Sequence, residues 1–504
     1  MISSVTTSTV SETFLHQLKD FVATRMGLHF PRERWRELER GISSAAQEFD
    51  FQDAESCIKW LLSSSLTKNQ IEILASHLTV GETYFFREMN SLEVLADRIL
   101  PELIRSRRED DRHLRIWSVG CSTGEEPYSV AMLLDKILPD INNWSITITA
   151  TDINSRSLQK ASEGVYGEWA FRCTSPWIQQ KYFEEKKGNR FEISHRIKGL
   201  VTFSYLNLAT DPYPSLLNNT NAMDLILCRN VLMYFTPEQV SKVIRQLNLS
   251  LVDGGWLIVS AVDASPALSS RFVPINFLRA TLYRRDGKQP LTVKAPPLRL
   301  DPGPEVLPPL PSISHAALES VVSPPEIGQD LLLEVEVQHG SYEEALALYG
   351  QGYYREVADR VLGLVSRNNE DSNALALLAR AYANQGKLGE ALAWCEKAVA
   401  TDKWHPGLHC LLANILQEQG QIGKAVASLK RALYLDPNFL LAHFALGNLT
   451  RQQGKAKESE KHFQNALSLL RTFDQEEILP ESEGLTAGRL IEIINAMSCR
   501  NTFA

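Results

Sequence analysis

Two spacings of apolar residues divide the chain, and each predicts a different kind of structure. Over residues 13–103 the apolar positions recur every three or four residues, as at Leu15 and Leu18, which predicts a helical N-terminal domain. Over residues 104–286 short apolar runs alternate with helical spacing, which predicts a parallel sheet covered by helices. Residues 1–12 are rich in Ser and Thr and are predicted to be disordered.

The centre of the α/β region is a strand, a glycine loop and a helix in succession. Residues 115–119 form an apolar run, the chain turns at Gly120, and helical spacing begins near Glu126. A second β-branched run ends at Asp152, about as far downstream as the ribose-binding acid of a Rossmann-type unit. The alternative is an ordinary strand, turn and helix without a ligand, because glycine loops often match by chance.

The composition of the glycine loop indicates which ligand it suits. It has the pattern Gly-x-x-x-Gly followed at once by Glu125 and Glu126, whereas a pyrophosphate site has the pattern Gly-x-Gly-x-x-Gly. Two acids would repel a phosphate but would attract a sulfonium and an ammonium group. S-adenosyl-L-methionine (SAM) therefore fits this loop better than NAD or ATP.

Two later stretches depart from the α/β alternation. Residues 176–203 contain short alternating runs, at 190–193 and 200–203, which predict small antiparallel strands in an inserted β-subdomain. Residues 287–330 are rich in proline and predict an extended, semi-rigid linker, which would hold the C-terminal part of the chain away from the α/β domain. A polyproline ligand for a proline-binding module is the alternative for this linker.

The last part of the chain repeats with a period of 34 residues, which is the period of tetratricopeptide repeats. Small residues recur at this step at Gly352, Gly386, Gly420 and Gly454, and again at Ala398, Ala432 and Ala466. The pattern predicts an all-α repeat solenoid over residues 338–473, with a capping helix and tail in residues 474–504. Such an array binds a peptide or protein on its concave face.

Composition limits the functions that the chain can have. A formal net charge of −8 argues against a body that binds nucleic acid, whose surface would be basic. Seven scattered cysteines, without a Cys-x-x-Cys pair or a secretory leader, predict reduced thiols in the cytoplasm. No apolar run approaches the length of a membrane span, so we expect no direct membrane insertion.

Four motifs, in order and with matching spacing, resemble those of one enzyme family. They are T-x-F-F-R-E at residues 83–88, C-S-T-G-E-E-P-Y-S at 121–129, A-T-D-I at 150–153 and C-R-N-V-L-M-Y-F at 228–235. Together they resemble the CheR-type chemotaxis receptor glutamate methyltransferases, and the resemblance covers about residues 12–286. It implies an α/β Rossmann-like SAM-dependent methyltransferase with an N-terminal helical domain and a small inserted β-subdomain.

The resemblance also implies a reaction. The methyl group of SAM would pass to the side-chain carboxylate of glutamates in receptor helices, which leaves S-adenosyl-L-homocysteine. A carboxylate is already ionised at pH 7 and needs no general base, so the absence of a Ser-His-Asp set or a metal-ligand cluster is no objection. We therefore expect no metal. The implied partners are the cytoplasmic domain of a chemoreceptor as substrate and an unidentified protein on the repeats, with no nucleic acid.

Residue roles follow from the matching motifs. Arg87 would meet the substrate carboxylate, and Tyr234 would face it across the transferred methyl group. The alternatives are a surface ion pair of Arg87 with Glu82 or Glu88, and core packing of Tyr234. The implied cofactor-binding residues are Gly81, Thr83, Arg87, Gly120, Gly124, Glu126, Asp152, Asn207, Leu208, Arg229 and Asn230.

The receptor-docking surface is predicted from what the β-subdomain lacks. Family members that bind a receptor's C-terminal tether peptide carry a Gly-x-Gly loop there, and residues 186–190 lack it. We therefore expect docking through the helical domain, where Arg32, Arg36 and Arg40 recur every four residues. A solvated face, on which interleaved glutamates pair with these arginines, is the alternative.

Two other functions remain open at this point. A signalling scaffold would keep the repeats but have an inactive methyltransferase domain, although every motif residue is intact. A methyltransferase of small molecules would keep the cofactor site but not the receptor substrate.

Overall fold

The computed structural model describes residues 10–64, 66–108, 112–286, 342–366 and 371–498. The predicted linker at 287–330 and residues 1–9 of the predicted disordered terminus lie outside the described residues. Helices dominate both ends of the described chain, and strands are confined to the middle.

Four helices form the N-terminal layer, as the apolar spacing predicts. Their apolar faces close around one core, which includes Leu18, Leu38 and Ile58. The Asp53 side chain caps the third helix by accepting a hydrogen bond from the backbone N–H of Ser56. The helices are α1 (Glu12–Met26), α2 (Trp35–Glu48), α3 (Ala54–Ser63) and α4 (Lys68–Leu78).

The chain between the helical layer and the sheet belongs to the core of the sheet. It contains α5 (Met89–Val94), a π-helical turn (Leu95–Ile99) and α6 (Leu100–Arg108). Buried residues such as Phe85 and Leu100 share one core with Ile116 of the central strand. Judged by which core the residues pack in, the helical layer therefore ends near Leu78, earlier than the predicted boundary at residue 103.

A seven-stranded sheet forms the middle of the chain, in the order β6-β2-β1-β7-β8-β10-β9. The strands of the molecule are β1 (His113–Val119), β2 (Ser145–Asp152), β3 (Val165–Gly167), β4 (Phe183–Lys186), β5 (Arg190–Ile193), β6 (Val201–Tyr205), β7 (Met223–Cys228), β8 (Leu251–Val259), β9 (Val273–Asn276) and β10 (Thr281–Arg284). The remaining helices of this region are α7 (Glu125–Ile137), α8 (Ser155–Glu163), α9 (Pro176–Tyr182), α10 (His195–Lys198), α11 (Pro237–Ser250) and α12 (Pro266–Ser269).

The register of the sheet confirms the predicted parallel core. Ile116 of β1 lies opposite Ile148 of β2 on one side and Leu225 of β7 on the other, and all three strands run in parallel. The β8 edge differs, because β10 pairs antiparallel with both β8 and β9. The sheet is therefore mixed, and its parallel part carries the motifs.

The inserted β-subdomain differs from the prediction at both ends. It is a three-stranded antiparallel sheet of β3, β5 and β4, so it begins near residue 165 and not at 176. The predicted antiparallel strand at 200–203 is wrong, because β6 pairs in parallel with β2 as the edge of the main sheet. A short apolar run does not show which strand it will pair with, so the partner of β6 could be assigned only from the three-dimensional structure.

The C-terminal part is a stack of helix pairs with the predicted period. The glycines at the recurring position adopt left-handed backbone angles, with φ of 83°, 75°, 73° and 74° at Gly352, Gly386, Gly420 and Gly454. A residue with a Cβ is disfavoured there, which explains the period. The helices are α13 (Tyr342–Gln351), α14 (Tyr354–Val365), α15 (Ser372–Asn384), α16 (Leu388–Thr401), α17 (Pro406–Glu418), α18 (Ile422–Leu435), α19 (Leu440–Gln452), α20 (Ala456–Leu470) and the capping helix α21 (Ala487–Ser498).

The repeat array packs directly against the sheet domain. A Cβ at Gly352 would lie 2.3 Å from Leu249, and one at Gly386 would lie 2.9 Å from Val252. The buried Arg115 of β1 forms an ion pair with Glu418 of α17, at 3.5 Å. The expectation that the linker holds the repeats away from the enzyme is therefore wrong.

Membrane insertion and thiol chemistry can be assessed for the described part of the chain. None of its helices has the length and apolar character that crossing a bilayer requires. Its cysteines are free thiols, and all but Cys173 are buried.

Candidate functional site

A cleft with about 820 Å³ of open space lies at the carboxyl ends of β1, β2 and β6. This edge of a parallel sheet is the usual ligand site of α/β folds. Met26, Phe30 and Leu78 of the helical layer form one wall. A second cleft of about 650 Å³ adjoins it, and both are lined by Gly120, Ser122, Asn230, Tyr234 and Val80.

The glycine loop between β1 and α7 lies where the two clefts meet. Gly120 has φ of +68°, and a Cβ there would lie 2.5 Å from the Val231 side chain, so glycine is required by both conformation and space. The backbone N–H groups of Gly120 and Cys121 donate to the carbonyl of Thr151, at 2.8 and 3.0 Å. The loop is thus tied to the neighbouring strand.

Asp152 lies at the end of β2 and faces the larger cleft. One carboxylate oxygen accepts a hydrogen bond from the backbone N–H of Ser122 and the other from that of Asn154, each at 2.8 Å. Each oxygen keeps a free lone pair for a ligand. Burial raises the pKa of the Asp152 carboxyl, and these backbone hydrogen bonds oppose that rise.

Glu126, in the first turn of α7, is bound on both oxygens. Ser118 Oγ donates to one oxygen at 2.7 Å, and the guanidinium of the buried Arg229 lies 3.1 Å from the other. Burial raises the pKa of Glu126, while the Arg229 charge opposes the rise. Arg229 also donates to the carbonyl of Arg87, and its Nε is buried and has no hydrogen-bond partner within the part of the chain that the structure describes.

The segment before α5 brings Gly81, Thr83 and Arg87 to the clefts. Gly81 lines the larger cleft, and Thr83 and Arg87 line the smaller one. The Arg87 guanidinium donates to the carbonyl of Glu82 at 2.7 Å and lies 5.8 Å from the centre of the Tyr84 ring. The alternative was an ion pair of Arg87 with Glu82 or Glu88. Instead, the Glu82 carboxylate pairs with Arg172, and the Glu88 carboxylate lies near Arg229.

The loop after β7 carries Asn230 and Tyr234 into both clefts. Asn230 has φ of +58°, a conformation that few residues other than glycine adopt. Asp263, just after β8, stabilises this loop by accepting hydrogen bonds from the backbone N–H groups of Asn230, Val231 and Met233. Tyr234 is half-buried under the Arg34 guanidinium, whose centre lies 5.3 Å from that of its ring.

Asn207 and Leu208 follow β6 and line the larger cleft. The Asn207 side chain is committed to structure, since its Nδ2 donates to the carbonyl of Arg25 and its Oδ1 accepts from the backbone N–H of Ala209. Its backbone N–H donates to Asp211. Leu208 contributes apolar surface beside Phe235, and this part of the cleft suits a flat aromatic base.

Gly124 differs from the other predicted site residues. It caps α7 with φ of +92°, and a Cβ there would lie 2.8 Å from Ala161 and 3.1 Å from Phe203 in the core. The need for glycine at position 124 is therefore explained by its backbone conformation and by close packing against the core, and not by contact with a ligand.

Several residues that line or support the clefts were missed in the sequence. They are His29, Arg34, Ser122, Asn154 and Asp263. Asp263 follows the carboxyl end of a parallel strand, as Asp152 does, and the same positional argument could have identified it. His29 and Arg34 reach the cleft through tertiary packing of the helical layer, and no local sequence signal marks them.

The residues of the two clefts fit SAM. The free acceptors of Asp152 suit ribose hydroxyls, the apolar surface around Leu208 suits an adenine, and the Glu126 carboxylate suits a cationic amino acid moiety. Gly120 and Gly124 of the loop pack against the side chains of Val231 and Ala161, so these glycines do not cradle a pyrophosphate. The smaller cleft, with Arg87 and Tyr234, leaves room for a second reactant.

Comparison with known proteins gives matches to both halves of the chain. The family model for the SAM-binding domain of CheR methyltransferases matches residues 81–277, and tetratricopeptide repeat models match residues 333–403 and 413–454. The chain is 35% identical over 215 residues to a chemotaxis protein methyltransferase of Vibrio parahaemolyticus, which covers 41% of this chain and 73% of that protein. The corresponding protein of Borreliella burgdorferi is 30% identical over 247 residues, covering 49% and 86%. Chemotaxis protein methyltransferase 1 of Pseudomonas aeruginosa is 34% identical over 219 residues, covering 42% and 77%.

Proposed function

We propose, since this chain belongs to the CheR family of chemotaxis protein methyltransferases, that its methyl acceptors are glutamate side chains in the cytoplasmic domain of a chemoreceptor. The chain is a SAM-dependent methyltransferase with repeats for protein interaction. The observation that carries the finer proposal is that Arg87 and Tyr234 line the same cleft as Glu126, next to the larger SAM-suited cleft.

The larger cleft and Glu126 would hold the cofactor. Asp152 would accept hydrogen bonds from the ribose hydroxyls, Asn207 and Leu208 would flank the adenine, and Glu126 would face the ammonium group. SAM supplies an activated methyl group when bound. Arg229 holds Glu126 in place from below, so this carboxylate keeps one orientation without a ligand.

The smaller cleft would hold the receptor glutamate. One N–H of the Arg87 guanidinium donates to the carbonyl of Glu82. Its other N–H groups can orient an incoming carboxylate through two hydrogen bonds. Tyr234 lies on the shared wall of the two clefts, where it would limit the position of the reacting oxygen. Positioning suffices here, because an ionised carboxylate is already a nucleophile.

A base-labile methyl ester tests this proposal. The full chain is incubated with SAM labelled in the methyl group and with a receptor cytoplasmic fragment, and labelled methanol is collected after mild alkali. We expect label in the fragment but not in a matched fragment whose acceptor glutamates are alanine. Alkali-stable label, or label only in small molecules, would contradict the glutamate assignment.

A further inference from the structure

The concave face of the repeat array is filled by other segments of this chain. The groove on that face is lined by Arg380 of α15, Gly407 of α17 and Leu441 of α19, and Tyr349 of α13 reaches it through Glu483. A loop at residues 479–485, before the capping helix, lies in it, closed by hydrogen bonds between Leu479 and Leu485 and across Ser482. Leu216 and Leu217 of the methyltransferase domain line the same groove.

Glu483 of this loop is held by donors from two domains. One carboxylate oxygen accepts a hydrogen bond from the Tyr349 hydroxyl of α13, at 3.0 Å. The other accepts from Ser215 Oγ at 2.9 Å and from the backbone N–H of Leu216 at 3.2 Å. Asn384 of α15 donates to the Tyr349 oxygen at 2.8 Å, which orients the hydroxyl toward Glu483.

Glu481 meets Arg380, the basic side chain among the described residues that line the groove. Its carboxylate lies 3.9 Å from the guanidinium of Arg380 on α15. It also rests on Gly407 of α17, where a Cβ would lie 1.8 Å from the carboxylate oxygen. The groove therefore offers a cation, a hydroxyl donor and a glycine platform to two carboxylates that are separated by one residue.

The loop adopts this conformation at a conformational cost. Glu481 and Glu483 have φ of 58° and 56°, in the left-handed region that residues with a Cβ rarely adopt. Contacts with the groove must offset this local strain. A loop that is held by its contacts in this way can be replaced by a competing ligand that makes the same contacts.

We propose that the concave groove is the partner-binding surface of this protein, that it selects an acidic loop of the pattern Glu-x-Glu, and that residues 481–483 occupy it as an internal ligand. An acidic loop of a partner protein must displace them. Because Ser215 and Leu216 supply two of the three hydrogen bonds described above for Glu483, the incoming carboxylate would also touch the methyltransferase domain. The partner is thereby recognised by the repeats and the enzyme together.

The test uses a fluorescent peptide with the sequence of residues 477–487, and its binding to the full chain is followed by anisotropy. The tethered loop competes at high effective concentration in the natural chain, so we expect weak binding there. Reversing the loop charges by Glu481→Lys and Glu483→Lys should repel Arg380 and vacate the groove. Peptide affinity should then rise by about tenfold or more, because a competitor held at high effective concentration has been removed.

Matched controls separate occupancy from misfolding. In the charge-reversed chain, Arg380→Ala and Tyr349→Phe should each weaken peptide binding, and a peptide with Gln in place of Glu481 and Glu483 should not bind. Glu476→Lys, at an exposed acid outside the groove, should leave the weak natural binding unchanged. Amide exchange at residues 479–485 should speed up in the charge-reversed chain, while α17 and α19 stay protected.

Three results would each overturn the proposal. The charge-reversed chain could bind the peptide no better than the natural chain. The Gln peptide could bind as well as the acidic one. The loop could keep its slow exchange after charge reversal, which would show that carboxylate contacts do not hold it.

Discussion

At the scale of single residues, Asp152 makes the sharpest prediction about the cofactor. Asp152→Ala removes two hydrogen bonds from ribose hydroxyls to a charged acceptor, each worth about 1.5–3 kcal/mol. We expect the Kd for SAM to rise by about a hundredfold or more in isothermal titration, because every 1.4 kcal/mol corresponds to about tenfold in Kd. Asp20→Ala, at an exposed aspartate of α1, is the matched control and should leave the Kd unchanged. An unaltered Kd in Asp152→Ala would remove the ribose assignment.

The protonation of Asp152 adds a pH dependence with a defined sign. Because burial raises the pKa of this carboxyl, it takes up a proton at a higher pH than an ordinary aspartate as the solution is acidified. The protonated form is a poorer acceptor, so SAM affinity should begin to fall above the pH at which an exposed aspartate titrates. Titrations over a pH series, with Asp152→Asn as the reference that lacks this group, isolate its contribution.

Arg87 should affect the methyl acceptor more than the cofactor. Arg87→Ala removes the guanidinium that would hold the glutamate carboxylate, so we expect a large loss of methyl transfer with a smaller change in the Kd for SAM. Arg87→Lys keeps the charge but not the two-pronged geometry, so it should recover little activity. A near-normal rate at saturating receptor fragment in Arg87→Ala would show that the residue is structural.

Asp263 is a positioning residue for the loop that carries Asn230 and Tyr234. Asp263→Ala removes the side-chain acceptor of the Val231 and Met233 N–H groups and one of the two acceptors of the Asn230 N–H, which also donates to Ser260 Oγ, and each N–H left unpaired costs about 1–3 kcal/mol when it is buried. We expect kcat to fall. Expressed as a change in activation free energy, this fall should exceed the loss in the free energy of unfolding measured on the same protein. Asp253→Ala, at an exposed aspartate of β8, should change neither quantity.

At the scale of secondary-structure elements, the sequence predicted best where the pattern was local. The helix pairs of the repeats and the strand, loop and helix around Gly120 follow from spacing alone, and the structure confirms them. The strand β6 was assigned to the wrong sheet, because its apolar run is equally suited to an edge of either one. The pairing of β6 is decided by the neighbouring β2, which lies about 50 residues earlier in the sequence.

Helix α2 is the element that we expect to face the receptor. Arg32 lies before the helix and pairs with Glu12, so it does not share the predicted helix face. Glu37 pairs with Arg34, and Glu39 accepts a hydrogen bond from the backbone N–H of Val10, so these two interleaved glutamates are engaged with residues other than Arg36 and Arg40. Arg36 and Arg40 are exposed and have no carboxylate within ion-pair distance among the described residues.

Charge reversal on α2 tests this docking face. Arg36→Glu with Arg40→Glu should raise the KM for a receptor fragment, while the Kd for SAM stays unchanged. The difference in KM between the natural enzyme and the double variant should shrink as salt rises, because exposed charges are screened within about 8–10 Å at physiological ionic strength. Arg105→Glu, at an exposed position of α6, is the control. An unchanged KM in the double variant would place the docking face elsewhere.

At the scale of the whole molecule, the repeats and the enzyme share a buried polar interface. Arg489 of the capping helix pairs with Asp211, and Asp211 accepts from the backbone N–H of Asn207 in the SAM-suited cleft. Glu418 pairs with Arg115, whose guanidinium also donates to Asn219 and Asn221. No periodicity reveals such pairs, because Arg115 and Glu418 are about 300 residues apart and each resembles a surface charge.

The Arg115–Glu418 pair therefore gives the last prediction. Both side chains are almost fully buried, at 3% and 4% exposure, so Glu418→Ala leaves a guanidinium inside the molecule without its counter-charge. Removing one partner of a buried pair costs roughly 3–5 kcal/mol, whereas an exposed pair is worth about 1 kcal/mol or less. We expect Glu418→Ala to lower the free energy of unfolding strongly in urea titrations, and Glu93→Ala, in the exposed pair with Arg279, to change it little. Equal, small effects of the two variants would mean that the repeats and the enzyme separate in solution, and the contact between them would then not be a stable interface.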